Sequence, residues 1–264
     1  MKARYAALTL LAAVVLLVLA GPALAPHAPD VTAGPAYSPP GESGLLGTDH
    51  LGRDVTSRML HGGSSVIATS ALAALGGTTA GAVIGLTAAL SATGRRCLES
   101  LLMRPVDAVA AVPPIVLMLL VLTAMPGRAG LILAAIIVTA PLSARVIRAA
   151  AVQTTGRSHV ENAIARGEKW HWLAGREVLP LIAGTVAADL GIRFVAALYV
   201  VAAAGFLGVT AGPDNWGRLI ADMLPGAALQ PWAVIAPLTA IAVITVTVNL
   251  IADRSLHGAR GVLA

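Results

Sequence analysis

The sequence predicts an all-α membrane protein of six transmembrane helices, with both termini on the cytoplasmic side. Three observations carry that prediction. The 264 residues are 57% hydrophobic and 12% charged, against roughly 25% charged in an ordinary soluble domain. Mean hydropathy is +0.81, and the apolar runs far exceed the roughly 4–8 residues of a buried strand, which sets aside a parallel-sheet enzyme. The Lys and Arg residues are also divided unevenly between alternate connections.

Six runs are long enough, or nearly so, to cross about 30 Å of hydrocarbon as helix. They cover 5–25, 64–92, 106–125, 129–148, 178–209 and 230–252. The first follows Lys2 and Arg4 and ends in "GPALAP", where Ala23 and Ala25 have the spacing of a signal-peptidase site. The run exceeds the roughly 7–15 residues of a signal-peptide core, and Pro26 would follow the cut, so a retained helix is expected. The second carries Gly76, Gly77, Gly81 and Gly85, a small-residue face suited to close helix contact. Pro113-Pro114 bends the third, and Asp107 lies near its inner end, within reach of Arg104. Pro141, Arg145 and Arg148 shorten the fourth. The fifth holds Asp189 and Arg193 at i,i+4, a spacing that pairs them on one face, since either buried alone would be costly.

With the N-terminus inside, thirteen of the eighteen Lys and Arg fall on inner segments. Arg53, Arg58, Arg128 and Arg218 lie outside, and Arg193 is within a span. That is a positive-inside bias. Aromatics are 3% and the basic residues form no stripe, which argues against nucleic acid. The single Cys97 leaves no internal disulfide and no paired-thiol site.

Two loops are too large to be mere connections. The outer loop, 26–63, is rich in Pro and Gly before reaching "GLLGTDHLGRDVTSRMLHGG" at 44–63. Gly47 and Gly52 suit tight turns, and Asp54 is placed to cap a short helix running through Arg58, its i,i+4 partner. His50, Asp49, Asp54 and His61 show no diagnostic ligand spacing, so no metal is expected. The inner loop, about 149–177, is basic, helix-compatible and broken by Gly167 and Gly175. Ser158 and Glu161 have capping-box spacing, Ala163, Ile164 and Gly167 give a small-sided face, and Trp170 and Trp172 follow. The glycine breaks fit two short helices offering a knob to a cytoplasmic partner, rather than one helix lying on the membrane. The chain accordingly divides into 1–63, a first span with its outer loop, and 64–264, a five-span core.

Taken together, these loops resemble one family, the C-type permease subunits of dipeptide, oligopeptide and nickel ABC importers. "LLGTDHLGRDVTSRMLHGG" is similar to that group's signature after its first span. "RPVDAVAAVPP" at 104–114, "ARVIRAA" at 144–150 and "AGFLGVTAGPDNWGRLIADM" at 204–223 follow in the family's order, as do "PW" at 231–232 and "NLIADRSLHGAR" at 249–260. The inner loop is similar to the EAA motif, with Glu161, Ala163, Gly167, Leu179 and Pro180 at the family spacing. Asn162 stands where the first Ala is expected, Glu177 where an apolar residue is usual, and Val201 where an acidic residue commonly precedes the FLG.

The resemblance implies a type I ABC importer permease fold in the bacterial cytoplasmic membrane. It implies no catalysis in this chain, and the sequence has no GxxxxGK[ST] phosphate loop. ATP and Mg would be bound by two separate ATPase subunits or domains. Glu161, Asn162, Ala163, Gly167, Leu179 and Pro180 would form the coupling contact with them, Ala163 and Gly167 permitting near approach and Leu179-Pro180 restarting span five at a fixed angle. A homologous B-type permease would share the path, and a periplasmic or lipid-anchored binding protein would deliver substrate. Gly47, Thr48, Asp49, Gly52, Arg53, Asp54 and Arg58 would shape the outer gate and part of the docking surface. Asp189 and Arg193 would either neutralise each other or line the cavity. The expected cargo is a di- or oligopeptide, the alternative being nickel, another metal chelate or another small solute. An ion-coupled secondary transporter would need titratable groups along a path and repeat symmetry. The sequence offers one deep charged pair and no obvious repeat.

Overall fold

The computed structural model describes residues 20–92, 96–209 and 215–263. Most of the expected first span, 5–25, lies outside them. The helices are α1 (Gly21–Leu24), α2 (Val55–Ala92), α3 (Arg96–Ala111), α4 (Pro114–Ala124), α5 (Arg128–Thr155) and α6 (Ser158–Ala165). Then come α7 (Trp170–Trp172), a π turn (Leu173–Val178), α8 (Leu179–Phe206), α9 (Trp216–Met223) and α10 (Trp232–Leu263). Among the described residues there is no strand, only the isolated bridges Thr32–Arg53 and Thr48–Asp54.

Four helices are long and apolar enough to cross a membrane: Val55–Ser91, Arg128–Thr155, Trp170–Phe206 and Trp232–Asp253. The expected span 106–125 is not a simple crossing. Pro113 takes an extended ψ of 132° ahead of Pro114, as a residue before proline must. The chain consequently turns by 95° between α3 and α4. The 11 residues of α4 rise only about 16 Å, half the hydrocarbon thickness. Helix breakage rather than mild bending is the outcome of two adjacent prolines.

The glycine face on α2 does meet another helix closely. A Cβ at Gly77 would come within 2.2 Å of Thr139 Oγ1, and one at Gly81 within 2.5 Å of the Ser143 Cβ. At Gly85 it would lie 2.6 Å from the Ala144 carbonyl oxygen. Glycine is required along this stripe because α5 fills the space a side chain would need, with the Thr139 and Ser143 side chains at Gly77 and Gly81 and with backbone at Gly85.

The core forms two clusters. One joins α2, α4, α8, α9 and α10 through Val66, Leu198, Trp216 and Ile244. The other gathers Leu86, Leu90, Ile147, Ala151, Val160, Ala163, Leu173 and Val178, where α6 and the π turn sit beneath α2 and α5. Pro180 lies inside the continuous stretch Trp170–Phe206 and provides no N–H to the preceding turn. The π turn immediately before it absorbs that missing bond without ending the helix, so α8 continues the stretch begun at Trp170 and does not restart at Leu179-Pro180.

Candidate functional site

Two places gather polar and charged residues, one at each end of the bundle. The first is the "GTDHLGRD" loop. Thr48 and Asp49 are 0% exposed, Asp54 is 2% and Arg58 is 3%. Asp49 Oδ1 accepts hydrogen bonds from the backbone N–H of Leu51 (2.8 Å) and Arg53 (2.9 Å), fixing the turn between them. Gly52 closes that turn at φ +74°. Thr48 Oγ1 accepts from Ser38 N at 2.8 Å and donates to the Pro35 carbonyl at 2.6 Å. At Gly47, φ is +77° and a Cβ would meet Gln230 Nε2 at 2.0 Å, so both conformation and space demand glycine.

Asp54 caps α2 as expected, accepting from Thr56 N (3.0 Å), Ser57 N (3.1 Å) and Ser57 Oγ (2.6 Å). The helix it starts is not short, however, since it runs 38 residues. Nor is Arg58 its ion-pair partner. With Asp54 occupied by the helix terminus, Arg58 Nη1 donates to Asp49 Oδ2 at 2.7 Å and Nη2 to Asp222 Oδ2 at 3.1 Å. Arg53 lies 3.6 Å from Asp30 at the rim.

Asp222 belongs to α9, in the sequence "NWGRLIADM". Two elements separated by 164 residues are therefore one joined unit. Asn215 caps α9 by accepting from Gly217 N at 2.8 Å, and its Nδ2 donates to the Val201 carbonyl at 3.2 Å. Trp216 Nε1 donates to the Met59 carbonyl at 2.9 Å, and buried Gln230 donates to the Ser38 carbonyl at 2.7 Å. Nothing in the sequence marks Asp222, Trp216 or Gln230 as a partner of Arg58, Met59 or Ser38. The charges at Arg58 and Asp222 were visible, but nothing local announces a pairing over that distance.

The second place is the hairpin of α6, α7 and the π turn. The expected capping box does not form: Arg157 is the N-cap, and no side chain bonds the helix start. Ser158 lies one residue too far along, already helical. At the other end Gly167 takes φ +76°, with Gly167 N bonded to the Ile164 carbonyl (2.9 Å) and Glu168 N to that of Ala163 (3.3 Å). This is a Schellman termination, and glycine at its left-handed position is what stops α6 and turns the chain.

The hairpin is two-faced. Val160 and Ala163 are 0% exposed and pack on Leu90, Ile147 and Leu173. Ala163 therefore faces the bundle and cannot be the near-approach residue for a partner. Glu161, Asn162, Ala165, Arg166, Gly167, Lys169 and Trp170 form the exposed face. Leu179 and Pro180 are exposed on the following helix. Glu177 lies 3.9 Å from His159, which gives this unexpected carboxylate a polar neighbour.

Asp189 and Arg193 do pair, Arg193 Nε and Nη2 each 3.1 Å from Asp189 Oδ1. Ser143 on α5 donates to Asp189 Oδ2 at 2.5 Å. Exposures of 2% and 7% place both inside the subunit. Desolvation forces this outcome, because an ion pair with its lone pairs satisfied is the tolerable form of buried charge. Asp107 pairs with Arg145 at 2.7 Å rather than with Arg104. Among the described residues no three His, Cys, Asp or Glu are grouped to hold a metal ion.

Residues 81–257 match the family described as binding-protein-dependent transport system inner membrane components. The chain belongs to that family. It is an ABC importer permease of the peptide transport group, a multi-pass membrane protein. It is 30% identical over 220 residues to a putative peptide transport system permease of Brucella suis, covering 82% of this chain and 73% of that one. A glutathione transport system permease of Pectobacterium atrosepticum is 27% identical over 217 residues, covering 81% and 71%. The peptide transport permease SapC of Escherichia coli is 30% identical over 223 residues, covering 83% and 74%. In fold, the permease is similar to an inward-facing conformation of the MetNI methionine ABC transporter. The TM-score is 0.64 at 17% identity, over 76% of this chain and 95% of that one.

Proposed function

We propose that this permease is the C-type subunit of an ATP-driven importer that moves di- or oligopeptides across the bacterial cytoplasmic membrane. It works with a homologous B-type subunit by alternating access. Two cytoplasmic ATPases bind ATP and Mg, and a binding protein delivers the cargo. Support for the cargo class comes from the relatives, which are named for peptides, a dipeptide and glutathione.

The observation that carries the coupling mechanism is the two-faced hairpin. A lever must be stiff and attached at its base. Here α6 ends in a fixed Schellman turn, and its underside is buried against α2, α5 and the π turn. The π turn continues without interruption into α8. A push on the exposed Glu161–Gly167 face would therefore move α8 directly, as rigid-body rocking requires. The contact residues are Glu161, Asn162, Gly167 and their exposed neighbours Ala165 and Arg166, with Ala163 holding the base.

At the outer end, residues 47–58 brace the mouth from within. Their charges are spent on one another, on Asp30, on the start of α2 and on α9, so contact with a binding protein falls to exposed apolar side chains such as Leu45 and Leu51, 76% and 51% exposed. Asp189, Arg193 and Ser143 clasp α5 to α8 on either side of the lever.

Uptake of a labelled dipeptide by cells carrying the complete transporter tests this reading. Replacing the phosphate-loop lysine of the ATPase should abolish uptake while the permease remains in the membrane. Uptake that persists would contradict it.

A further inference from the structure

A cleft of about 450 Å³ opens between α3 and α5. Its α3 wall carries Glu99, Met103, Arg104 and Asp107, and its α5 wall carries Arg145 and Arg148. The two α5 residues lie near the C-terminal end of that helix, shortly before the hairpin.

Three guanidinium groups meet two carboxylates here, and both carboxylates are committed. Asp107 pairs with Arg145 at 2.7 Å, and Glu99 pairs with Arg148. Arg148 nevertheless keeps a buried Nε–H with no acceptor. Arg104 is exposed and joins no ion pair among the described residues. The cleft therefore carries one positive charge in excess. A phosphodiester, with a single negative charge and oxygens that suit the guanidinium fork, would balance it.

The surroundings indicate where that phosphate comes from. α4 has no charged residue, whereas α3 meets it at 95° bearing Glu99, Arg104 and Asp107. At that angle to an apolar membrane segment, α3 follows the bilayer surface, as an interfacial helix does. Leu101 lies one turn from Arg104, Leu142 lies one turn from Arg145, and both leucines are exposed. Arginines beside exposed leucines match an amphiphile, with a phosphate in the cleft and acyl chains along its flanks. A free anion would leave those leucines in water. Basic clefts between membrane helices at the cytoplasmic surface suit anionic headgroups for the same reason.

We infer that the cleft between α3 and α5 binds the phosphodiester of an anionic phospholipid such as phosphatidylglycerol, which bridges the two helices beside the elbow of the split span. The inference does not depend on the cargo or on the coupling mechanism.

Photolabelling of the complete transporter in phosphatidylcholine nanodiscs tests it. The probe is a trace of phosphatidylglycerol with a diazirine beside its glycerol, compared with phosphatidylcholine carrying the same diazirine. Mass spectrometry should find the phosphatidylglycerol label on segments 99–107 and 142–148, well above the label from net-neutral phosphatidylcholine. Arg104→Gln alters an exposed, unpaired side chain, so the fold should survive, and labelling should fall about fivefold. Arg176→Gln removes an exposed positive charge from the hairpin, outside the cleft, and should leave labelling unchanged. Excess inorganic phosphate should not displace a lipid held at the surface by its chains. Equal labelling by the two lipids, no label in the cleft, or undiminished labelling in Arg104→Gln would overturn the inference. So would equal loss in both variants, which would mean diffuse attraction, or displacement by inorganic phosphate, which would mean a free anion.

Discussion

The two ends of this permease handle charge in opposite ways. In the first loop, Asp49, Asp54 and Arg58 point inward and are consumed: Arg58 joins Asp49 to Asp222, and Asp54 caps α2. In the hairpin the interior is apolar and the charges of Glu161, Arg166 and Lys169 point outward. A buried charge network fixes geometry because any displacement leaves an unpaired charge. An apolar base under a polar face does something different, leaving a surface free for another protein while resisting deflection. One end is built to hold its shape, and the other, in the proposed function, is the part that is pushed.

Substitutions can break this contrast in order of expected size. The largest effect is at Arg58. Arg58→Met strands two carboxylates, one wholly buried, and should destabilise by about 3–5 kcal/mol, read as a fall in thermal unfolding midpoint in detergent. Adding Asp49→Asn should recover part of that loss; no recovery would mean the two residues do not act as a pair. Next comes Ala163→Leu on the buried underside of α6, expected to cost about 1–3 kcal/mol by overpacking. Ala165→Leu, two residues away on the exposed face, should change stability by no more than about 0.5 kcal/mol. Equal effects at the two positions would erase the two-faced description.

Ser143→Ala removes the hydroxyl that donates to Asp189 and should cost about 1.5–3 kcal/mol, the range for hydrogen bonds to charged groups. The same assay applies, and an unchanged midpoint would remove the clasp between α5 and α8. The smallest effects separate two glycines. Gly167→Ala places a side chain at φ +76° and should cost about 1–2 kcal/mol. Gly175 lies in the helical π turn with open space around it, so Gly175→Ala should be neutral or stabilise by up to about 1 kcal/mol. Loss at both sites would mean the hairpin turn is not what distinguishes them.

Much of this was legible in the sequence, for local reasons. Helix existence followed from apolar length, the glycine face of α2 from its spacing, and the Asp189–Arg193 pair from i,i+4 geometry. The Asp54 cap was readable too, since caps are decided within four residues. What escaped depended on tertiary placement. Arg58 had an acidic residue at i−4, and local pairing was the natural expectation, yet the cap had already claimed that carboxylate. Ala163 looked like a docking residue because small residues permit close approach, and they permit it equally against the parent bundle. Pro113-Pro114 announced a bend, but only the fold shows a turn of 95° that splits the span. At Ser158 the spacing was correct and the register was off by one residue, which no pattern could reveal.

In the proposed coupling mechanism an ATPase seats on the exposed face of α6. Crosslinking of Ala165→Cys in a Cys97→Ser background, in intact cells expressing the whole transporter, tests this most directly. A covalent product with the ATPase is expected, together with protection of position 165 from membrane-impermeant maleimide added outside. Labelling from outside, with no ATPase product, would contradict it.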